Sequence, residues 1–234
     1  MPTPRDYDTD PERYRLGMRL TAARCNPGVN LQARIVEHLL AAGVNTVLDA
    51  GCGDGALAVA AAACPLRVIG LDAAVPMVTA ARAHGPVVRG DITALPVADG
   101  SVDAVVVVNV LYHLDEPEVA LREARRVLGP DGLLVAGTVA RSDSPELAPF
   151  WRPTPGTFDA EDAPGLVASV FGAVTTEEWD APLVTLPDRD TVRDYLRARF
   201  VPPDEADRLA DALAARGPLP LPVTKRGALL LARR

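Results

Sequence analysis

"VLDAGCGDGALAVA", residues 47–60, sets Gly51, Gly53 and Gly55 on alternate positions between an apolar run and an alanine-rich one. A tight turn needs one or two such residues. Three at this spacing predict a backbone that something approaches very closely. The preceding "NTVLDAG" reads as a buried strand and the following "ALAVAAAAC" as a helix. Further upstream, "LQARIVEHLLAA" places Leu31, Ile35 and Leu39 on one helical face, with Gly43 as its C-cap.

The alternation continues downstream. "LRVIGLDA" is a second strand ending at Asp72, "PMVTAARAH" opens a helix on Pro76, and "PVVRGD" is a third strand. "VDAVVVVNVL" is almost continuously apolar, as a central parallel strand covered on both faces should be. "EPEVALREARRVLG" carries Ala120, Leu121, Ala124, Val127 and Leu128 on one helical side, stops at the turn signal "GPDG", and precedes the strand "LLVAGTVA". Strands and helices alternating at this length predict an open α/β sheet. After Ala140 the pattern loosens. A helix is expected around "APGLVASVFG", a strand at "AVTTEEWDAPLVTL", and two helices at "RDTVRDYLRARF" and "DEADRLADALAARG". "GPLPLP" reads as a stiff connector and "TKRGALLLARR" as a final strand.

Composition narrows the function. The 234 residues are 48% hydrophobic and 24% charged, with a net charge of -7 and one lysine, Lys225. Such a chain is a poor partner for nucleic acid, where affinity comes from clustered Lys and Arg. Cys25, Cys52 and Cys64 are odd in number and lack metal-site spacing, so they read as reduced thiols of a cytoplasmic protein without a metal. No apolar run reaches membrane-span length, and the charged start shows no export signal.

The ligand of the glycine turn belongs at the C-terminal ends of the strands. Gly51-x-Gly53-x-x-Ala56, with Asp72 21 residues after Gly51, satisfies a loose dinucleotide pattern. Charge argues otherwise. Asp49, Asp54, Asp72 and Asp91 all fall at or near strand ends on the ligand side, an array suited to a cation rather than to a pyrophosphate. S-adenosylmethionine carries an ammonium, a sulfonium and a ribose diol, and an acid ending the second strand is a good double acceptor for the diol.

Here the residues carry a resemblance. "VLDAGCGDG" resembles the glycine motif of class I S-adenosylmethionine-dependent methyltransferases, and "VIGLDAAVPMVTAAR" their ribose-binding segment. Residues 90–135, from "GDITALP" to "GPDGLLV", resemble the third-to-fifth-strand block of the small-molecule, ubiquinone/menaquinone methyltransferase-like branch. The likeness covers roughly residues 44–140. It implies a Rossmann-like, mostly parallel seven-stranded sheet with helices on both faces and an antiparallel last strand. It implies S-adenosylmethionine as cofactor and S-adenosylhomocysteine as product. Carried over, Asp49, Gly51, Cys52 and Gly53 face the methionine part, Asp72 and Ala73 the ribose, Asp91 and Ile92 the adenine, and Asn109 the methionine through its backbone. His113, a few residues beyond the fourth strand, is the candidate proton acceptor, whereas His38 and His84 read as structural. Tyr7, Tyr14, Tyr112 and Tyr195 are the candidate substrate contacts.

The domain is therefore expected over 31–234, with a helical insertion at about 182–222 and an N-terminal segment, 1–30, both covering the acceptor. The expected activity is methyl transfer to O, N or C of a small molecule by a monomer or homodimer with no membrane partner. The Ala/Arg/Pro-rich composition associates it with natural-product biosynthesis. A non-methylating reaction on the same cofactor, a peptide or protein acceptor, and a nicotinamide-dinucleotide domain are the alternatives.

Overall fold

The protein is described by a computed structural model covering residues 10–24, 30–152, 154–217 and 219–234. Tyr7 and Cys25 lie outside the described residues, as does the side chain of Tyr14. The elements in chain order are α1 (Pro11–Arg24), α2 (Leu31–Ala41), β1 (Thr46–Ala50), α3 (Ala56–Ala60), β2 (Arg67–Asp72), α4 (Val75–Ala81) and β3 (Val87–Arg89). There follow β4 (Val102–Val108), α5 (Pro117–Val127), β5 (Leu128–Val139), α6 (Ala163–Phe171), β6 (Val174–Leu186), α7 (Arg189–Arg197), α8 (Pro203–Arg216) and β7 (Leu221–Arg233).

Seven strands form one sheet in the order β3-β2-β1-β4-β5-β7-β6. β1 to β5 run parallel, and β7 returns antiparallel to β5, pairing Leu133 with Arg233 through Val139 with Gly227. The chain winds outward from β1 to β3, then crosses back to lay β4 on β1's other side. That reversal opens a crevice beyond the carboxyl ends of β1 and β4, where α/β sheets bind ligands.

Local chemistry explains the elements. Asn30 caps α2 by accepting from the Ala33 amide at 3.1 Å. Gly43, at φ +67, ends that helix's turn. α5 starts on Pro117 and turns Ala120, Leu121, Ala124 and Val127 into the core, while Arg126 on its outer side donates to Leu95 O and Val97 O and pins the loop before β4. Two expectations shift. α3 stops at Ala60 because Cys64 precedes Pro65, which disfavours helical backbone, and because Ala62 and Ala63 have nothing to pack on. β5 begins at Leu128, so the "GPDG" signal makes an irregularity inside the strand: Val102 pairs with Leu128 but Ala104 with Leu133.

The chain divides into two compact units. The larger comprises Asn30–Ala140, Gly156–Glu178 and Gly227–Arg234, with a core that includes Leu48, Val105, Leu121, Leu134, Phe158 and Leu230. The smaller comprises the rest of the described chain, around Leu147, Leu186, Val192, Tyr195, Leu196 and Leu213. The helical insertion thus does not stand alone. α7 packs on α8 and on α1, where Gly17 lets Ala198 come within 3.6 Å of where its Cβ would stand. Among the described residues no helix is long and apolar enough to cross a membrane.

Leu121 is fully buried between α5 and the sheet of the larger unit. Leu121→Ala should lower the unfolding free energy by about 2–5 kcal/mol, measured by urea denaturation followed by circular dichroism; a loss under about 1 kcal/mol would mean that the core closes over the gap.

Candidate active site

Three backbone positions make the turn after β1. Gly51 (φ +84), Gly53 (φ +56) and Gly55 (φ +93) all occupy the left-handed region, which glycine enters without strain. The amides of Gly51 and Cys52 both donate to Leu71 O, at 2.7 and 3.0 Å, tying the turn to the end of β2. What comes close to Gly51 is the chain itself: an added Cβ would stand 2.2 Å from Cγ2 of Val110, the residue after Asn109. Gly55 has a packing reason, since its Cβ would meet His84 and Ala81 at 3.3–3.5 Å. Gly70 is a requirement the sequence reading missed. Its Cβ would lie 2.8 Å from Cys52 Sγ, so the Cys52 side chain fills the space over β2. Burial, with Asp49 and Asp72 nearby, pushes that thiol up to about 12, which makes it a wall and not a nucleophile.

The carboxylates converge on this turn. Asp72 Oδ2 accepts from the Gly53 amide and Oδ1 from the Ala74 amide, both at 2.9 Å. A carboxylate at the end of β2 presents two oxygens side by side, the kind of acceptor a diol calls for. Ala73 between them accepts through its carbonyl from Arg89 Nε at 3.0 Å. Asp49 differs. It is 6% exposed and finds no hydrogen-bond partner among the described residues. Burial, reinforced by the charge of Asp72, raises its pKa from 3.8 to about 7. A buried carboxylate without a donor, beside a second carboxylate, is complementary to a cationic group with N–H donors. The residues therefore fit the ammonium and ribose of S-adenosylmethionine.

The remaining candidates stand at the ends of the neighbouring strands. Asp91, just past β3 and exposed, accepts through Oδ1 from the amide and hydroxyl of Thr93 at 2.8 and 2.7 Å. Ile92 packs half-buried against the core. Asn109, just past β4, holds φ +57 and donates its amide to Gly137 O at 2.8 Å; asparagine tolerates this left-handed conformation, and its exposed side chain is turned away from the core. A short 3₁₀ turn, Leu111–His113, follows, with Tyr112 and His113 half-buried and their rings 4.4 Å apart. Thr157 Oγ1 donates to Leu114 O, and Gly156 leaves room for Tyr112, whose Cβ would be 3.2 Å from a Cβ there. This supporting strip, 156–158, carried no motif that sequence reasoning could find.

Tyr195, expected to offer apolar surface to a substrate, is 1% exposed inside the smaller unit. Its hydroxyl lies 3.0 Å from Ser144 Oγ and 3.3 Å from Lys225 Nζ, and Arg199 covers its ring at 3.3 Å. The cause is helical periodicity: Val192, Tyr195 and Leu196 share the inward face of α7. Phe200 is the aromatic left in the open, 49% exposed at φ +66.

Comparison with known proteins matches the same stretch of chain. A family described as a methyltransferase domain matches residues 48–136, the span that holds Asp49, the glycine turn, Asp72, Asp91, Asn109 and His113. The chain is 32% identical over 155 residues to the ubiquinone/menaquinone biosynthesis C-methyltransferase UbiE of Syntrophotalea carbinolica, covering 62% of this chain and 65% of that protein. It is 36% identical over 119 residues to the demethylmenaquinone methyltransferase of Renibacterium salmoninarum, covering 50% and 49%. The chain thus spans less than two thirds of the length of these relatives. The YcgJ protein from Bacillus subtilis shares the fold, with a TM-score of 0.62 at 17% identity over 87% of this chain and 97% of that one. Residues 48–136 thus match a methyltransferase domain, and the chain is similar to methyltransferases of the ubiquinone/menaquinone type, which use S-adenosylmethionine.

Proposed function

We propose that the protein transfers a methyl group from S-adenosylmethionine to O, N or C of a small-molecule acceptor. The observation that carries this reading is Asp49, a buried carboxylate lacking a donor and set beside Asp72 at the glycine turn. Relatives named for C-methylation in ubiquinone and menaquinone biosynthesis support a small-molecule acceptor. The cofactor supplies a methyl group on a cationic sulfur. In this reading Asp72 accepts from the two ribose hydroxyls, Asp49 faces the ammonium, Asp91 accepts from the adenine amino group beside the Ile92 amide, and the Asn109 backbone lines the methionine. Transfer removes charge from sulfur, so the chain's remaining tasks are to exclude water, align the acceptor and take its proton. We assign the proton to His113 and substrate contact to Tyr112. The choice of acceptor we assign to the smaller unit, which holds the described part of the N-terminal segment and the 182–222 insertion. A cytoplasmic protein of natural-product biosynthesis remains our reading of the composition, and the free thiols of Cys52 and Cys64 accord with that compartment.

Three measurements test the assignments. Asp72→Ala should weaken S-adenosylmethionine binding by about 2–4 kcal/mol in titration calorimetry, and an affinity within threefold of wild type would remove the ribose assignment. Because Asp49 titrates near 7, the bound ammonium favours its ionised form. Affinity should therefore rise by up to about tenfold per pH unit below that value and level off above it, while Asp49→Asn should bind weakly and without this slope. In the ligand-free protein the same shift has the opposite consequence. The unfolded chain releases the proton first, so stability declines as pH rises from 3.8 to about 7. Finally, His113→Ala should lower kcat by about 10²–10⁴ with cofactor affinity unchanged. A variant keeping more than a third of wild-type kcat between pH 6 and 9 would reduce His113 to a wall residue.

A further inference from the structure

Arg13 lies on α1 in the smaller unit, with its guanidinium stacked 3.9 Å above the ring centre of Phe200. Its Nε and Nη2 are buried and donate to no described residue. These two nitrogens form one edge of the guanidinium, whose parallel N–H bonds match the width of a carboxylate. Elsewhere in this protein that edge is used in just this way. Arg34 sends Nε and Nη2 to the two oxygens of Glu177 at 2.7 and 3.0 Å, and Arg126 sends the same pair to Glu123 at 2.8 Å each. Only the Arg13 fork, of these three, is buried without an acceptor, an arrangement that costs free energy until one arrives.

Arg13 is one of the residues that line a cavity of about 410 Å³ within the smaller unit, whose apolar walls include Leu16 and Val201. The acids on its lining are already engaged. Asp194 accepts from Arg193 Nε at 2.9 Å, Glu12 pairs with Arg15 at 2.5 Å and with Arg19 at 3.8 Å, and Asp10 accepts from the Arg13 backbone amide at 3.1 Å. Arg193 is further held by Asp190 at 3.0 Å, and Arg197 adds one more cation to the lining. The site's uncommitted charge is positive, and its uncommitted donors are a fork whose guanidinium is stacked on the Phe200 ring. We propose that this cavity binds a small organic carboxylate with an apolar body, gripped bidentately by Nε and Nη2 of Arg13 over Phe200.

The residues of this cavity all belong to the smaller unit and the cofactor candidates to the larger, so the proposal is testable without the cofactor. Calorimetry on the whole protein would use benzoate and octanoate as probes, benzamide as the neutral match to benzoate, and phenyl phosphate as the other anion. At least one carboxylate should bind, with benzamide at least tenfold weaker than benzoate where benzoate is the one that binds. Arg13→Gln and Arg13→Lys should each weaken carboxylate binding by about 10–100-fold, the lysine variant because it keeps the charge and loses the fork. Arg19→Gln should stay within twofold of wild type. The Arg13 Nε–H signal, identified by its loss from the nitrogen–proton spectrum of folded Arg13→Lys, should move on adding the bound carboxylate. Absence of carboxylate binding, equal binding of benzamide, tighter binding of phenyl phosphate than of benzoate, survival of binding in both Arg13 variants, or an unmoved Nε–H signal would each overturn the proposal.

Discussion

The carbonyl oxygen of Leu71 accepts from two successive amides, Gly51 and Cys52, and the larger unit's site is organised around that pair of bonds. They hold the end of β2 against the turn that leaves β1. With the turn fixed there, the Gly53 amide reaches Asp72 and orients its carboxylate. Val110 fills the space over Gly51, which sets the path of the chain leaving β4 and hence where Asn109, Tyr112 and His113 begin. One backbone contact thus couples three strand ends. A side chain at Gly51 would have to displace Val110 before any ligand was considered, and it would carry the strain of φ +84 as well.

That geometry has an electrostatic cost. Bringing Asp49 out of water beside Asp72 raises the free energy of its ionised form, which is why its pKa stands near 7. An apolar residue at this position would make a more stable sheet edge. A partnerless carboxylate is retained where something other than folding uses it, and a cationic ligand would recover the energy that burial takes away. Cys52 and Gly70 answer a different need: together they close the space between the turn and β2 without bulk.

The smaller unit handles charge through arginine. Arg189 is bound to Asp207 and Asp211 and so joins α7 to α8, while Arg193 pairs with Asp190 and Asp194 within α7 and Arg199 lies over Tyr195. The chain's single lysine, Lys225, sits instead in a half-buried cluster with Asp143 and Tyr195. Against this background of engaged cations, Arg13 is distinguished by what it does not touch.

Read alone, the sequence determined the order of the elements, the parallel core and the glycine turn, because those depend on local patterns: apolar runs of strand length, proline at helix starts, glycine where φ is positive. It also determined which acids end which strands, since Asp49, Asp72 and Asp91 each stand within or just after a strand that its own apolar run marks. It could not show why Gly51 is glycine, because the answer lies in a side chain 59 residues away, at Val110. Nor could it show that Gly70 exists for Cys52, or that Gly156 and Thr157 return to support the turn at Tyr112. Tyr195 was legible as an aromatic on a helix, but which face of α7 the smaller unit would cover was decided by packing against α8 and α1. Burial is a property of the whole fold. Only the tertiary structure could turn Asp49 from one acid among four into a carboxylate stripped of donors, because desolvation depends on every element that surrounds it.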